Sequence, residues 1–275
     1  MIKDILVNLT VGSPRDVAGD FAISVAAALD AHLTGVAFAY EPVIPGTILD
    51  GITASIIDNC RADNKRAAKN AQEKFDEAVR RAGVLAESHL FDTILANAAD
   101  TFGRMARGYD LSIVGQAQPG KALAEELIIE SVLFGSGRPI LIVPYIQSTG
   151  LKLDRVMVCW DGSRNAARAI ADAMPFMERA RAVDVVTVES RERRNELIGA
   201  DIAQHLARHG LKVDLKPIVA PDSDVASTIL SYAADSSTDL IVMGGYGHSR
   251  LREFVLGGAT RGMLGAMTVP TLMAH

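Results

Sequence analysis

Short apolar runs alternate with longer amphipathic segments along the whole chain, and the alternation is gone through twice. In the first half the runs fall near residues 3–9, 33–40, 84–90, 111–114 and 140–143; in the second, near 155–159, 183–188, 213–219, 240–243 and 271–273. Runs this short and continuous predict strands covered on both faces, as in a parallel sheet. Ala67, Ala71, Phe75, Ala78, Val79 and Ala82 recur at three or four residues and predict a helix closed by Gly83. Ile198, Ile202 and Leu206 do the same before Gly210. The alternation predicts an α/β fold: two tandem copies of an open, mainly parallel five-stranded sheet with helices on both faces.

The halves repeat one another in detail. A shift of 150 residues lays Asp4-Ile5-Leu6-Val7 on Asp154-Arg155-Val156-Met157, Gly12-Ser13 on Gly162-Ser163, and Leu33 to Ala39 on Val183 to Glu189. Farther on, Asp110 to Gly115 match Asp239 to Gly244, and Pro139 to Ile142 match Pro270 to Met273. The expected domains are 1–146 and 151–275, joined by the polar stretch Gln147-Ser148-Thr149-Gly150. The first half is longer after its second strand. Its extra residues 41–59 contain Pro42, Pro45 and Gly46 and read as a loop plus a helix extension.

Composition narrows the classes of function. A net charge of −5 over 275 residues argues against a nucleic-acid surface. The apolar runs fall well short of the roughly 18 residues of a membrane helix. The sequence enters a strand at once, so no signal peptide is expected. Cys60 and Cys159 form neither a metal-type pair nor a disulfide framework, so a reducing cytoplasm is expected, with both thiols as apolar filler.

The chemistry concentrates in residues 239–263. The strand Leu240 to Met243 runs into Gly244-Gly245-Tyr246-Gly247, a helix-like segment follows from Ser249 to Leu256, and Gly257-Gly258 precede Ala259-Thr260-Arg261. Glycines between a strand and a helix let backbone N–H groups approach an anion. Gly244, Gly247 and Gly257, with two and nine residues between them, resemble the ATP-binding signature of the universal stress protein family. Gly258 departs from it, standing where that family has Ser or Thr, while Thr260 matches a further hydroxyl position. The plainer reading is that these glycines only make tight turns.

The resemblance covers nearly the whole chain. It implies a tandem universal stress protein with strand order 3-2-1-4-5 and an adenine nucleotide, ATP with Mg²⁺ or alternatively AMP or ADP, across strands 1 and 4 of the second half. It implies a nucleotide-binding set of Trp160, Asp161, Val186, Val188, Met243, Gly244, Gly247, His248, Gly257, Gly258, Ala259 and Thr260. Asp161 would meet the ribose or base; otherwise it caps the helix after Ser163. Trp160 walls the adenine or packs in the core, and Val186 to Val188 read the adenine edge or are ordinary strand core. His248 touches a phosphate or is an exposed first-turn residue, and Arg250, Arg252 and Arg261 add positive charge or are simply solvated.

The first half has lost these parts: Val11 stands at the place of Asp161, Gln118 at that of Gly247, and Leu127 to Ile129 opposite Gly257-Gly258. Gly115 to Ala122 approach a P-loop, but Ala122 replaces its hydroxyl and Pro119 removes a donor, so Lys121 is expected to do little. His205 and His209 lack a third metal ligand, and Glu125-Glu126 read as surface. No catalytic residue is assigned; turnover would be at most slow ATP hydrolysis. Two alternatives stand beside this regulatory nucleotide binder: a nucleotide-independent docking scaffold and an adenylyl-transferring α/β enzyme. The last strand of each half lies at a sheet edge, which predicts an intramolecular pseudo-dimer through these strands, with a further homodimer open to it.

Overall fold

Two aspartates set the frame of the repeat. The Asp110 carboxylate accepts the backbone N–H groups of Lys3 and Asp4 at 2.8 and 3.1 Å. Asp239 accepts those of Asp154 and Arg155 at 2.9 and 3.0 Å. Each ties the residue before a fourth strand to the start of a first strand. The computed structural model describes residues 1–41, 54–118, 123–189, 199–220, 224–245 and 258–275. These form two units, Ile2–Ser136, and Gly137–His275 with Met1.

The first unit runs β1 (Asp4–Asn8), α1 (Val17–Leu29), β2 (His32–Tyr40), α2 (Ala54–Ala82), β3 (Ala86–Thr93), α3 (Leu95–Ala106), β4 (Leu111–Gly115) and α4 (Leu123–Gly135). Its strands are parallel in the order β3-β2-β1-β4. Ile5, Leu6, Leu33, Phe38, Leu111 and Ile113 are almost wholly buried, as strands covered on both sides should be. Helix α2 lays Ala68, Phe75 and Val79 on the sheet. A Cβ at Gly35 would stand 2.7 Å from the Phe75 ring, so that strand position must be glycine. Gly83, at φ +67°, closes the helix, and Val84 N–H reaches back to Val79 C=O. The apolar stripe stops short of Ala82, which is exposed.

The second unit runs β5 (Ile140–Val143), β6 (Arg155–Cys159), α5 (Arg164–Met177), β7 (Ala182–Glu189), α6 (Ala200–Arg208), β8 (Val213–Val219), α7 (Val225–Asp235), β9 (Leu240–Gly244), α8 (Gly258–Ala266) and β10 (Thr271–Ala274). The strand order is β5-β10-β9-β6-β7-β8. For the second repeat this is 3-2-1-4-5, all parallel. Strand β5, the last of the first repeat, pairs antiparallel with β10, Leu141 beside Leu272. The expected pairing of last strands is therefore present. It draws β5 into the second unit, so the contact boundary falls at 136/137 whereas the sequence repeat turns over at 147–150.

Strand register corrects the repeat alignment by one residue. Ile5 lies beside Leu111 and Val156 beside Leu240, so Ile5 and Val156 are equivalent. Leu9 N–H bonds to Val36 C=O as Trp160 N–H bonds to Val186 C=O. The position of Asp161 is therefore held by Thr10, not by Val11, which is an extra residue in the first loop.

One buried ion pair ties β6, β7 and α7 together. Asp184 is fully buried, accepts both bonds of Arg155 Nη1 at 2.9 Å, and takes a third from the Tyr232 hydroxyl at 3.2 Å. Its lone pairs are met, which is what makes a buried carboxylate tolerable. Asp184→Ala strands the Arg155 charge. Since Arg155 keeps some access to water, we expect a loss near the low end for broken buried pairs, about 3 kcal/mol, read by urea denaturation.

Candidate functional site

Strand β6 has β7 on one side and β9 on the other, so the chain reverses direction across the sheet there. In open α/β sheets the crevice at the carboxyl ends of such strands is where ligands bind. β6 ends at Cys159, opposite Met243 of β9. Burial and the Asp161 charge push the Cys159 thiol up to about 12, so it is held protonated and inert. Cys60 departs from the apolar-filler expectation: it is exposed on α2.

Beyond Cys159, Trp160 is half-buried and its ring lies against Gly199, where a Cβ would stand 3.5 Å from Trp160 Cδ1. Asp161 is exposed and accepts Ser163 N–H at 2.9 Å. The cap of α5 is Ser163 itself, whose hydroxyl accepts Ala166 N–H at 3.1 Å. Asp161 thus shapes the turn before the helix and leaves the capping to Ser163. Val186 is buried and Val188 half-buried at the end of β7.

Across the crevice, Met243 is buried and Gly244 half-buried at the end of β9. A Cβ at Gly244 would stand 2.6 Å from Ala166 N and 2.8 Å from the Asn165 carbonyl carbon. Only glycine allows the strand end to lie this close to the first turn of α5. Asn165, buried, fastens the contact by donating its amide to Gly245 C=O at 2.7 Å. In the sequence Asn165 looks like any polar residue in a first helical turn; only the strand beside it gives it a role. At the start of α8, Gly258 is exposed with open space where a Cβ would be, Ala259 is half-buried and Thr260 is buried. Gly247, His248 and Gly257, with Arg250 and Arg252, lie outside the described residues, and Arg261 is exposed. Arg164 at the start of α5 brings positive character, whereas burial and the Arg164 charge hold the His275 imidazole, after β10, below its ordinary value and so favour its neutral form.

The first repeat ends its strands differently. Residues 9–15 separate β1 from the cap of α1, against 160–162 in the second repeat. The cap is Asp16, whose Oδ1 accepts Gly19 N–H at 3.0 Å. With the helix set back, a Cβ at Gly115 of β4 would meet nothing closer than Ala18 Cβ at 3.7 Å. Asp16 Oδ2 is shut off from solvent and accepts no hydrogen bond. Burial pushes the carboxyl up to about 6, against the pull of Gly19 and Thr10. Glu125 is half-buried rather than plainly surface, and burial raises its carboxyl too. Residues 119–122 of the P-loop-like stretch lie outside the described residues; among the described residues no metal-type cluster occurs, and His205 and His209 face each other edge-on at 4.8 Å.

Strand order, crevice and duplication define a tandem, doubly wound α/β protein. Residues 152–275 match the profile of the universal stress protein family. The matched residues are those of the second repeat. A universal stress protein of Synechocystis sp. is 24% identical over 170 residues, covering 60% of this chain and 57% of that protein, little more than half its length. Among solved structures, a universal stress protein from Archaeoglobus fulgidus superposes with a TM-score of 0.70 at 16% identity, over 98% of this chain and 97% of that one. A putative universal stress protein from Pseudomonas aeruginosa gives 0.65 at 15% identity, over 99% and 93%. These structures share the fold over both repeats.

The two strand-end glycines should respond differently to a methyl group. Gly244→Ala forces Cβ into the backbone of α5 and should cost about 1–3 kcal/mol, whereas Gly115→Ala should stay below about 1 kcal/mol, both read by urea denaturation. Asp16 sets a pH dependence. Its folded value of about 6 lies above the ordinary 3.8, so its contribution to stability is complete below pH 3.8 and is lost as pH rises through about 6. Asp16→Asn keeps a capping oxygen and cannot ionise. Its melting temperature should match the natural protein at pH 4 and exceed it increasingly above pH 6.

Proposed function

We propose that this chain is a stress-response regulator that binds an adenine nucleotide, ATP with Mg²⁺, at the carboxyl ends of β6 and β9. The observation that carries the reading is the contact of Gly244 with the first turn of α5, which keeps side chains out of the switch-point crevice. Next to it stand the positive end of α5 and Arg164, and the spacing of Gly244, Gly247 and Gly257 supplies the phosphate turn. In this reading Asp161 and Trp160 serve ribose and base, Val186 and Val188 border the adenine, and Gly258, Ala259 and Thr260 present N–H and hydroxyl groups to the phosphates. Binding and regulation are assigned, with hydrolysis at most slow.

Among the described residues no helix is long and apolar enough to cross a membrane. Both thiols are free, which suits a reducing cytoplasm, the compartment this reading adopts. The β5–β10 pair takes the place of a partner domain's strand.

A thermal-shift titration tests the reading. A ligand bound only by the folded state stabilises it by about 2.7 kcal/mol at a hundred times its dissociation constant. Mg-ATP should raise the melting temperature of the natural protein, Gly247→Val should remove most of that rise, and Asp161→Ala should remove less. Gly258→Ser has open space for its side chain and restores a hydroxyl, so it should tighten binding. If no adenine nucleotide shifts the natural protein at millimolar concentration, and none is released on denaturation, the docking-scaffold alternative replaces this reading.

A further inference from the structure

The C-terminal end of α6 carries two histidines, His205 in its last turn and His209 at its cap. Four residues apart, they share one face of the helix. Both are exposed, and their ring centres lie 4.8 Å apart with the planes at 67°. The helix end that presents them is fixed. Leu206, next to His205 in sequence, is buried. His209 N–H bonds to Leu206 C=O at 3.0 Å, Gly210 N–H bonds to Ala207 C=O at 2.9 Å, and Gly210, at φ +81°, turns the chain away. Among the described residues neither ring has a hydrogen bond or an ion pair, so their nitrogens are free. By contrast, His32 lies 3.9 Å from Asp4 and His89 lies 3.5 Å from Glu87.

We propose that His205 and His209 chelate one divalent transition-metal ion of the copper, nickel and zinc class, with water completing its coordination. Two imidazoles that share one ion at about 2.0–2.1 Å have ring centres roughly 4.5–5.2 Å apart, for angles at the metal from a right angle to tetrahedral. The observed 4.8 Å falls in that range, so the backbone need not move. Imidazole suits copper, nickel and zinc, whereas magnesium and calcium take oxygen ligands. Copper should bind more tightly than nickel or zinc. A cation here also sits at the negative end of the helix dipole. Asp201, four residues before His205, adds negative charge on the same face, and Arg208 opposes it. The consequence falls on α6, which has nine residues, no side-chain cap at Gly199, and Leu206 as the side chain it buries. A helix this short is marginal alone. An ion joining the last turn to the cap residue favours the folded state, where the rings already stand together, and so stabilises the second repeat. The site is independent of nucleotide binding at the ends of β6 and β9.

The test titrates the full-length protein with Ni²⁺ and Zn²⁺ by calorimetry and thermal shift, at a pH of about 8, where free imidazole is neutral. One equivalent should bind at submillimolar concentration and raise the melting temperature. His205→Gln and His209→Gln should each weaken binding by about ten-fold or more, near 1.4 kcal/mol. In EDTA both variants should melt with the natural protein, which shows that they fold. Cys60→Ser and His89→Gln should leave the affinity unchanged. Cu²⁺ is added to Cys60→Ser, which lacks the exposed thiol that copper would oxidise. Its electron paramagnetic resonance spectrum should show two nitrogen ligands, and light scattering should show an unchanged mass. The proposal is overturned if none of the three ions binds at submillimolar concentration, if either histidine substitution leaves the affinity unchanged, or if binding is lost with Cys60→Ser or His89→Gln. A mass doubled by metal would place the ion between two copies and would overturn it too.

Discussion

Where β9 ends, its backbone lies against the first turn of α5 with no space for a side chain between them. A Cβ at Gly244 would come within 2.6 Å of Ala166 N, and the Asn165 amide bonds to the next carbonyl along at 2.7 Å. Strand pairing sets how far β9 extends, since Met243 stands opposite both Cys159 and Met273. Helix capping by Ser163 sets where α5 begins. Glycine at 244 is the condition under which both hold at once. The crevice therefore follows from a backbone constraint, and the side chains around it can vary without moving it.

The fold was legible because its signals are local. The apolar runs at 140–143, 155–159 and 213–219 coincide with β5, β6 and β8. β3 is displaced, spanning Ala86–Thr93 instead of 84–90, because its pairing with β2 continues to Tyr40 opposite Thr93. No apolar run marks that extension. Asp92 and Thr93 are polar, and the pairing with β2 holds them in register. The one-residue slip between Val11 and Thr10 has the same origin: sequence matching favoured Gly12 over Gly162, whereas the backbone places the extra residue before that glycine.

The candidate site was legible only in part, and for a related reason. Glycine spacing is written in the chain, so Gly244 and Gly258 could be singled out. Asn165, buried beneath Gly245, carries no mark, because its role comes from a strand 80 residues away. The Ser163 cap hides behind Asp161, which offers the same chemistry at a neighbouring position; the choice depends on which carboxylate or hydroxyl the turn aims at Ala166 N–H. Asp16 is hidden in the same way, since its consequence depends on how far α1 is set back.

That setback shows how one duplicated frame came to offer two kinds of surface. In both repeats an aspartate before the fourth strand holds the first strand by two backbone bonds, so the sheets keep the same register. In the second repeat the cap directly follows the turn, and α5 closes on Gly244. In the first, the cap moves from the position of Ser13 to Asp16; Gly115 is no longer pressed, with 3.7 Å to Ala18 Cβ. Between the lengthened loop and α2 lies a cleft that Asp16 and Lys74 line. A cap exchange from a neutral hydroxyl to a carboxylate also reverses the sign of the charge at that helix start. A carboxylate at that helix start disfavours an anion beside the strand end.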